Sequence, residues 1–203
     1  MLNSSGHSGQ AHPFLEQALD FSQQISDDFY AVDALHMLAI ISPPDQSLDL
    51  NLRAVQLAES SGQERARNWL GSLYNNTGWS YHDKGDYASA LDIFEKAEAW
   101  QRSHGRVSET RIAVWTVART LRSLGRVAAA LSKQMALKDE FTSAGEADGF
   151  VLEEIAECLL ALRREGEAQA YFKKAYEILS QDDWFTEHEA TRLERIKKLG
   201  NID

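Results

Sequence analysis

Cysteine is nearly absent from this chain: Cys158 is the only one in 203 residues. One thiol excludes an internal disulfide framework and fits a reducing compartment. Proline is almost as scarce, at three residues, and two of these stand together as Pro43-Pro44. No apolar run approaches the ~20 residues that a membrane-spanning helix needs. Basic residues are in deficit, 21 Lys and Arg against 31 Asp and Glu, for a formal net charge of −10. With no basic run or patch either, nucleic acid and anionic membranes are poor partners for it. Met1 to His12 has neither a basic start nor an apolar stretch, so it reads as a disordered tail and no signal peptide. A cytoplasmic protein is the simplest expectation.

Motifs of chemistry are missing as well. There is no HExxH, no CxxC, no phosphate-binding glycine loop and no nucleophile elbow. His82-Asp83 and His188-Glu189 are adjacent in sequence, so on a helix they point apart and form no dyad. His7 and His12 could touch a metal, but they sit in the expected tail. Cys158 lies in the apolar run Cys158-Leu159-Leu160-Ala161-Leu162 and reads as a small core residue. We therefore expect no catalytic residue, no metal and no cofactor.

What the chain does have is a beat of glycines. Gly62, Gly85, Gly105, Gly125, Gly145 and Gly166 recur at intervals of 23, 20, 20, 20 and 21 residues. Between them lie stretches of Ala, Leu, Glu, Lys and Arg, all good helix formers. Glycine ends helices cheaply because the left-handed conformation costs it nothing. The spacing predicts a string of antiparallel helices, paired into units of about 40 residues.

The first helix is expected from Pro13 to Ile25, with Phe14, Ala18, Phe21 and Ile25 on one stripe. A second follows from Asp28, read as its N-cap, and stops at Pro43-Pro44. Further helices are expected over 46–60, 64–84, 86–103, 107–124, 126–143, 146–164 and 167–180. A last one runs from Thr186 to Leu199, its Thr186-x-x-Glu189 start matching a capping box. No segment alternates with a period of two, so no strand is assigned.

Leu73 to Trp100, reading LYNNTGWSYHDKGDYASALDIFEKAEAW, explains itself physically. Gly78 is small enough to let the next helix approach where Ala90 sits, and Tyr74 and Tyr81 fill the space around that contact. Gly85 closes the first helix, Asp86 caps the second and Tyr87 packs at the corner. Phe94 and Ala97 then offer a large and a small residue to the next unit. This stretch closely resembles a tetratricopeptide repeat. Val117, Ala118, Leu121, Gly125, Ala130 and Leu137 form a weaker copy, with Gln134 in the place of the large aromatic. Ala156, Leu159, Ala168, Phe172 and Ala175 form another, and Leu38, Leu50, Ala54 and Leu57 a degenerate one.

The resemblance covers about residues 28 to 180. It implies an all-α fold, a right-handed superhelical solenoid of helical hairpins with about ten helices. Its repeats would be 28–62, 63–105, 106–145 and 146–181 within a single domain of 13–200, ending in a capping helix at 186–199. The common unit of the family is shorter than the ~40 residues read here. The longer variety resembles repeats of kinesin light chain and of bacterial peptide receptors, which bind peptides or partner proteins.

In that architecture the first helix of each pair lines a concave face. The strong repeat would place Asn75, Asn76, Trp79, His82 and Asp83 there, and the degenerate one Leu35 and His36. The next units would add Trp115, Arg119, Arg122, Glu153 and Glu157. Asparagine amides both donate to and accept from a peptide backbone, and tryptophan offers a rigid contact surface. Each has a plainer reading too: Trp79 and Trp115 as packing residues, Arg119 and Arg122 as partners of Glu153, Glu154 or Glu157. Left unpaired, the two arginines would make a carboxylate clamp.

The expected function is a peptide- or protein-binding scaffold. The alternatives are a homodimer through the terminal helices, or a peptide-sensing regulator that acts through a separate partner.

Overall fold

The computed structural model describes residues 8–202. Residues 1–7 of the tail expected over Met1 to His12, His7 among them, lie outside these. Ser8 to His12 belong to the first helix, which begins before Pro13. Twelve helices and no strand occur among the described residues. They fall into two compact units, residues 1–113 and 114–203.

The first unit holds α1 (Ser8–Gln24), α2 (Asp28–Ile41), α3 (Pro44–Ser60), α4 (Glu64–Arg67), α5 (Leu70–Asp83) and α6 (Tyr87–Ser103). The unit boundary falls within α7 (Val107–Ser123). Neighbours in sequence pack as neighbours in space: α1 on α2, α2 on α3, α3 on α5 and α5 on α6. The second unit continues with α8 (Val127–Ser143), α9 (Gly149–Ala161), α10 (Glu165–Leu179), α11 (Asp183–His188) and α12 (Ala190–Leu199). There α8 packs on α9, α9 on α10, α10 on α12 and α11 on α12.

The glycine beat is half of a more general device. At Gly85 the backbone turns left-handed (φ +77°), and Asp86 N–H reaches back to the Tyr81 carbonyl at 3.0 Å. The same closure, an amide bonded to the carbonyl five residues back, recurs at Gly105, Gly125 and Gly145. It also occurs at Ser26, Arg163 and Asn201, where φ is 55°, 62° and 51°. These three side chains accept a conformation that costs an L-residue roughly 1–2 kcal/mol. Gly166 is not one of the stops: Arg163 takes that role, and Gly166 sits in the first turn of α10.

Other boundaries shift for local reasons. Asp27, not Asp28, caps α2, accepting from Tyr30 N–H at 3.3 Å. Asp28 instead receives the Ser61 hydroxyl at 2.6 Å. The helix expected over 64–84 breaks at Asn68-Trp69, where Trp69 N–H bonds three residues back to the Ala66 carbonyl. The final helix has no Thr186 cap. Asp182 caps α11 by accepting from Phe185 N–H at 3.0 Å, while Thr186 lies inside α11 and bonds the Asp183 carbonyl. The Phe185 ring is wholly buried, which fixes that entry.

The stripe of Phe14, Ala18, Phe21 and Ile25 runs along the outer side of α1. Phe14 and Phe21 are 62% and 61% exposed, while Ala11, Leu19 and Ser22 face inward. Inside the first unit Leu73 and Phe94 are fully buried, each contributing roughly 1.5–3 kcal/mol. Gly78 is what admits Phe94: a Cβ there would lie 2.5 Å from its ring. The small residue makes room for the aromatic ring of Phe94, where the sequence pointed to Ala90.

Candidate functional site

In the first unit α2 and α5 are joined by a side-chain contact. Asn76 Nδ2 lies 3.4 Å from His36 Nδ1, and neutral imidazole there accepts the amide proton. Burial holds the His36 pKa below its ordinary value, with Asp33 pulling part of the way back. Asn75 Nδ2 donates to the side-chain Oδ1 of Asn76 at 3.5 Å. One turn on, the Trp79 ring meets His82 edge-on at 5.2 Å and Phe94 at 5.4 Å. Asn75, Asn76, Trp79 and His82 are all half-buried, and Asp83 is exposed at the end of α5. Leu35, by contrast, is 2% exposed and belongs to the core.

Two clefts flank this row, and Asn76 lines both. One, of about 500 Å³, lies between the end of α2, α3 and α5. The other, of about 190 Å³, lies between α5, α6 and the first turns of α7. In the second, α6 comes close because Gly71 has no side chain: a Cβ would fall 2.3 Å from Gln101 Nε2.

The second unit treats its predicted residues differently. Trp115 is half-buried and its indole donates to the Phe150 carbonyl at 3.1 Å. Arg122 grips Glu154 with two hydrogen bonds, Nε to Oε1 and Nη2 to Oε2 at 3.1 Å. Arg119 adds a third contact to Glu154 at 3.4 Å. Glu153 is held by Arg192 at 2.7 and 2.6 Å, and Glu157 by Arg195. Glu153 and Glu154 are 5% and 1% exposed, and a buried carboxylate persists only when paired and hydrogen-bonded. Burial alone would lower the Arg122 pKa, yet the acidic groups around it, Glu154 first and then Glu157, together raise it. The arginines and glutamates of this face are thus bonded to one another.

Arg192 and Arg195 were missing from the sequence expectation. Their signal was present: arginines one turn apart on α12, matching Glu153 and Glu157 one turn apart on α9. Asn51 was missing too, hidden among the apolar positions of α3.

Residues 71–104 match the family described as tetratricopeptide repeat. The chain carries a tetratricopeptide repeat. Over 89% of the chain the fold is of the tetratricopeptide-like kind. It is similar to the crystal structure of nearly identical TPR-like repeats of a candidate kinesin light chain from Podosopora anserina. The likeness has a TM-score of 0.71, 16% identity, and coverage of 89% of this chain and 90% of that one. The Q17M form of that protein gives a TM-score of 0.74 at 15% identity over the same shares. No curated protein sequence matches the chain. No helix among the described residues is long and apolar enough to cross a membrane. The tetratricopeptide match takes in α5 and α6, the pair that carries Asn75, Asn76, Trp79 and His82.

Proposed function

We propose that the protein is a binding scaffold whose peptide or protein ligand lies along α5 and the adjoining part of α2. The observation that carries this reading is the contrast between the two units. Half-buried amides and a tryptophan stand between two clefts in the first, whereas ion pairs engage the charged candidate residues of the second. Asn75 and Asn76 would bond the ligand's main chain, Trp79 and His82 would pack on its side chains, and His36 would set the Asn76 amide. The helices hold these groups before the ligand arrives, so little ordering is needed on binding. Trp115, Arg119, Arg122, Glu153 and Glu157 then act as structure, with any ligand contact secondary. Binding rather than catalysis is the role, with no cofactor. The single buried thiol of Cys158 goes with a cytoplasmic setting.

A twelve-residue peptide selected by display against the whole protein supplies the test. Titrated into 15N-labelled protein, it should shift resonances of Asn75, Asn76, Trp79 and His36 first. Shifts concentrated on α7, α9 and α12 instead would move the ligand to the second unit and sink this assignment.

A second reading has its own observation. The outer stripe of α1, with Phe14, Phe21 and Ile25 all more than half exposed, favours self-association through that terminal helix. Sedimentation showing one monomeric species from micromolar to millimolar protein would remove it.

A further inference from the structure

We infer that the cleft between the end of α2, α3 and α5 takes a lysine or arginine side chain of the ligand, so that the bound segment is basic. This deepens the peptide-binding reading above and rests on it.

The floor of the cleft asks for a hydrogen-bond donor. Asn51 is 3% exposed and spends its amide nitrogen on the Ser80 hydroxyl at 3.2 Å. Ser80 passes its own proton to the Asn76 carbonyl at 3.0 Å, so the amide orientation of Asn51 is fixed by a chain of bonds. Its Oδ1 is then left buried with no partner among the described residues, and so is the Ser42 hydroxyl at the same cleft. A buried polar atom without a partner in a well-packed fold calls for an explanation. A carbonyl oxygen can only accept, so the missing group is a donor, N–H or O–H, and the walls decide between them.

The walls set its charge. Asp83 is exposed at the cleft and ends α5, where the helix dipole also favours a cation. Trp79 lines the same cleft and gives an aromatic surface on which a cationic side chain packs. Among the described residues the one basic side chain lining it, Lys84, is held by Asp45 at 2.8 Å. An anionic group would meet Asp83 and the Asn51 oxygen with no uncompensated cation facing it. The net charge of −10 draws a basic segment from a distance. At about 500 Å³ the space is within the range of small-ligand sites.

Blocked tripeptides test this on the whole 15N-labelled protein: acetyl-Gly-Arg-Gly-amide, its Lys counterpart and its Glu counterpart. The Arg and Lys peptides should shift the Asn51 side-chain amide and the Trp79 indole in a saturable way, and the Glu peptide should not. Asp83→Asn, an exposed change that leaves the core alone, should weaken the Arg peptide about tenfold, the worth of one charge-assisted hydrogen bond. Asn51→Leu should weaken the Arg peptide in protein shown by circular dichroism to be folded. Equal or stronger shifts with the Glu peptide, or an Arg-peptide affinity unchanged by Asp83→Asn, would overturn the inference. If the display-selected peptide still footprints Asn75 and Asn76, the groove reading survives that failure. If it does not, both fall.

Discussion

Arg122 and Glu154 meet through two hydrogen bonds, one from Nη2 to Oε2 at 3.1 Å, across the faces of α7 and α9. The carboxylate is 2% exposed and the guanidinium 25%. Replacing Glu154 with Ala leaves two arginines, Arg119 and Arg122, without their carboxylate. Breaking a buried pair costs about 3–5 kcal/mol, and the partial exposure of Arg122 puts Glu154→Ala near 3. Urea unfolding reads this directly. Glu167→Ala, which removes the exposed pair with Arg164, should leave the midpoint unchanged.

Two glycines of the same beat should respond oppositely to alanine. Gly85 has a φ of +77°, so Gly85→Ala should destabilise by about 1 kcal/mol. Gly166 has ordinary helical geometry in α10, with no atom within 4 Å of an added Cβ. Gly166→Ala should stabilise by about 0.4–1 kcal/mol. Thermal melts of the two variants suffice, and matching shifts would contradict the assignment of the stops.

Gly78→Ala presses a methyl group into the Phe94 ring, 2.5 Å from its nearest atom. Phe94 is fully buried and cannot swing away. A loss of about 1–3 kcal/mol is expected, as for other overpacked cores. A neutral result in chemical denaturation would mean that α5 and α6 separate easily.

The contact between His36 and Asn76 carries a pH dependence. Burial lowers the native His36 pKa below 6.5, so the unfolded chain takes up this proton first. Stability should therefore be level above pH ~6.5 and fall as pH drops through that value toward the lowered native one. Urea midpoints of wild type and His36→Gln between about pH 5 and 7.5 isolate the term. Parallel curves would contradict it.

The helices and the tetratricopeptide motif could be read from periodicity because packing there repeats a local pattern. Gly85 and Asp86 kept the roles their neighbours imply, since a turn and a cap are decided within a few residues. Arg163 and Ser26 show where that reasoning stops: a left-handed residue held by its surroundings leaves no glycine to find. The stripe of Phe14, Phe21 and Ile25 misleads for a related reason, as periodicity reveals an apolar face but not whether anything covers it. The pairing of Arg122 with Glu154 links residues 32 apart, and only the spatial arrangement of helices chooses it over Glu153 or Glu157. Asn51 was invisible because its meaning lies in an atom left without a bond.

The most direct test of the account is calorimetric. The display-selected peptide is titrated into wild-type protein, Asn76→Ala, Trp79→Ala, Trp115→Ala and Gln169→Ala, the last an exposed change on α10. The account predicts at least roughly tenfold weaker binding for Asn76→Ala and Trp79→Ala, a hot-spot loss. Gln169→Ala should bind as wild type, and Trp115→Ala should lose stability with little loss of affinity in the protein that remains folded. Unchanged affinity in both Asn76→Ala and Trp79→Ala would contradict the central claim that the ligand lies along α5.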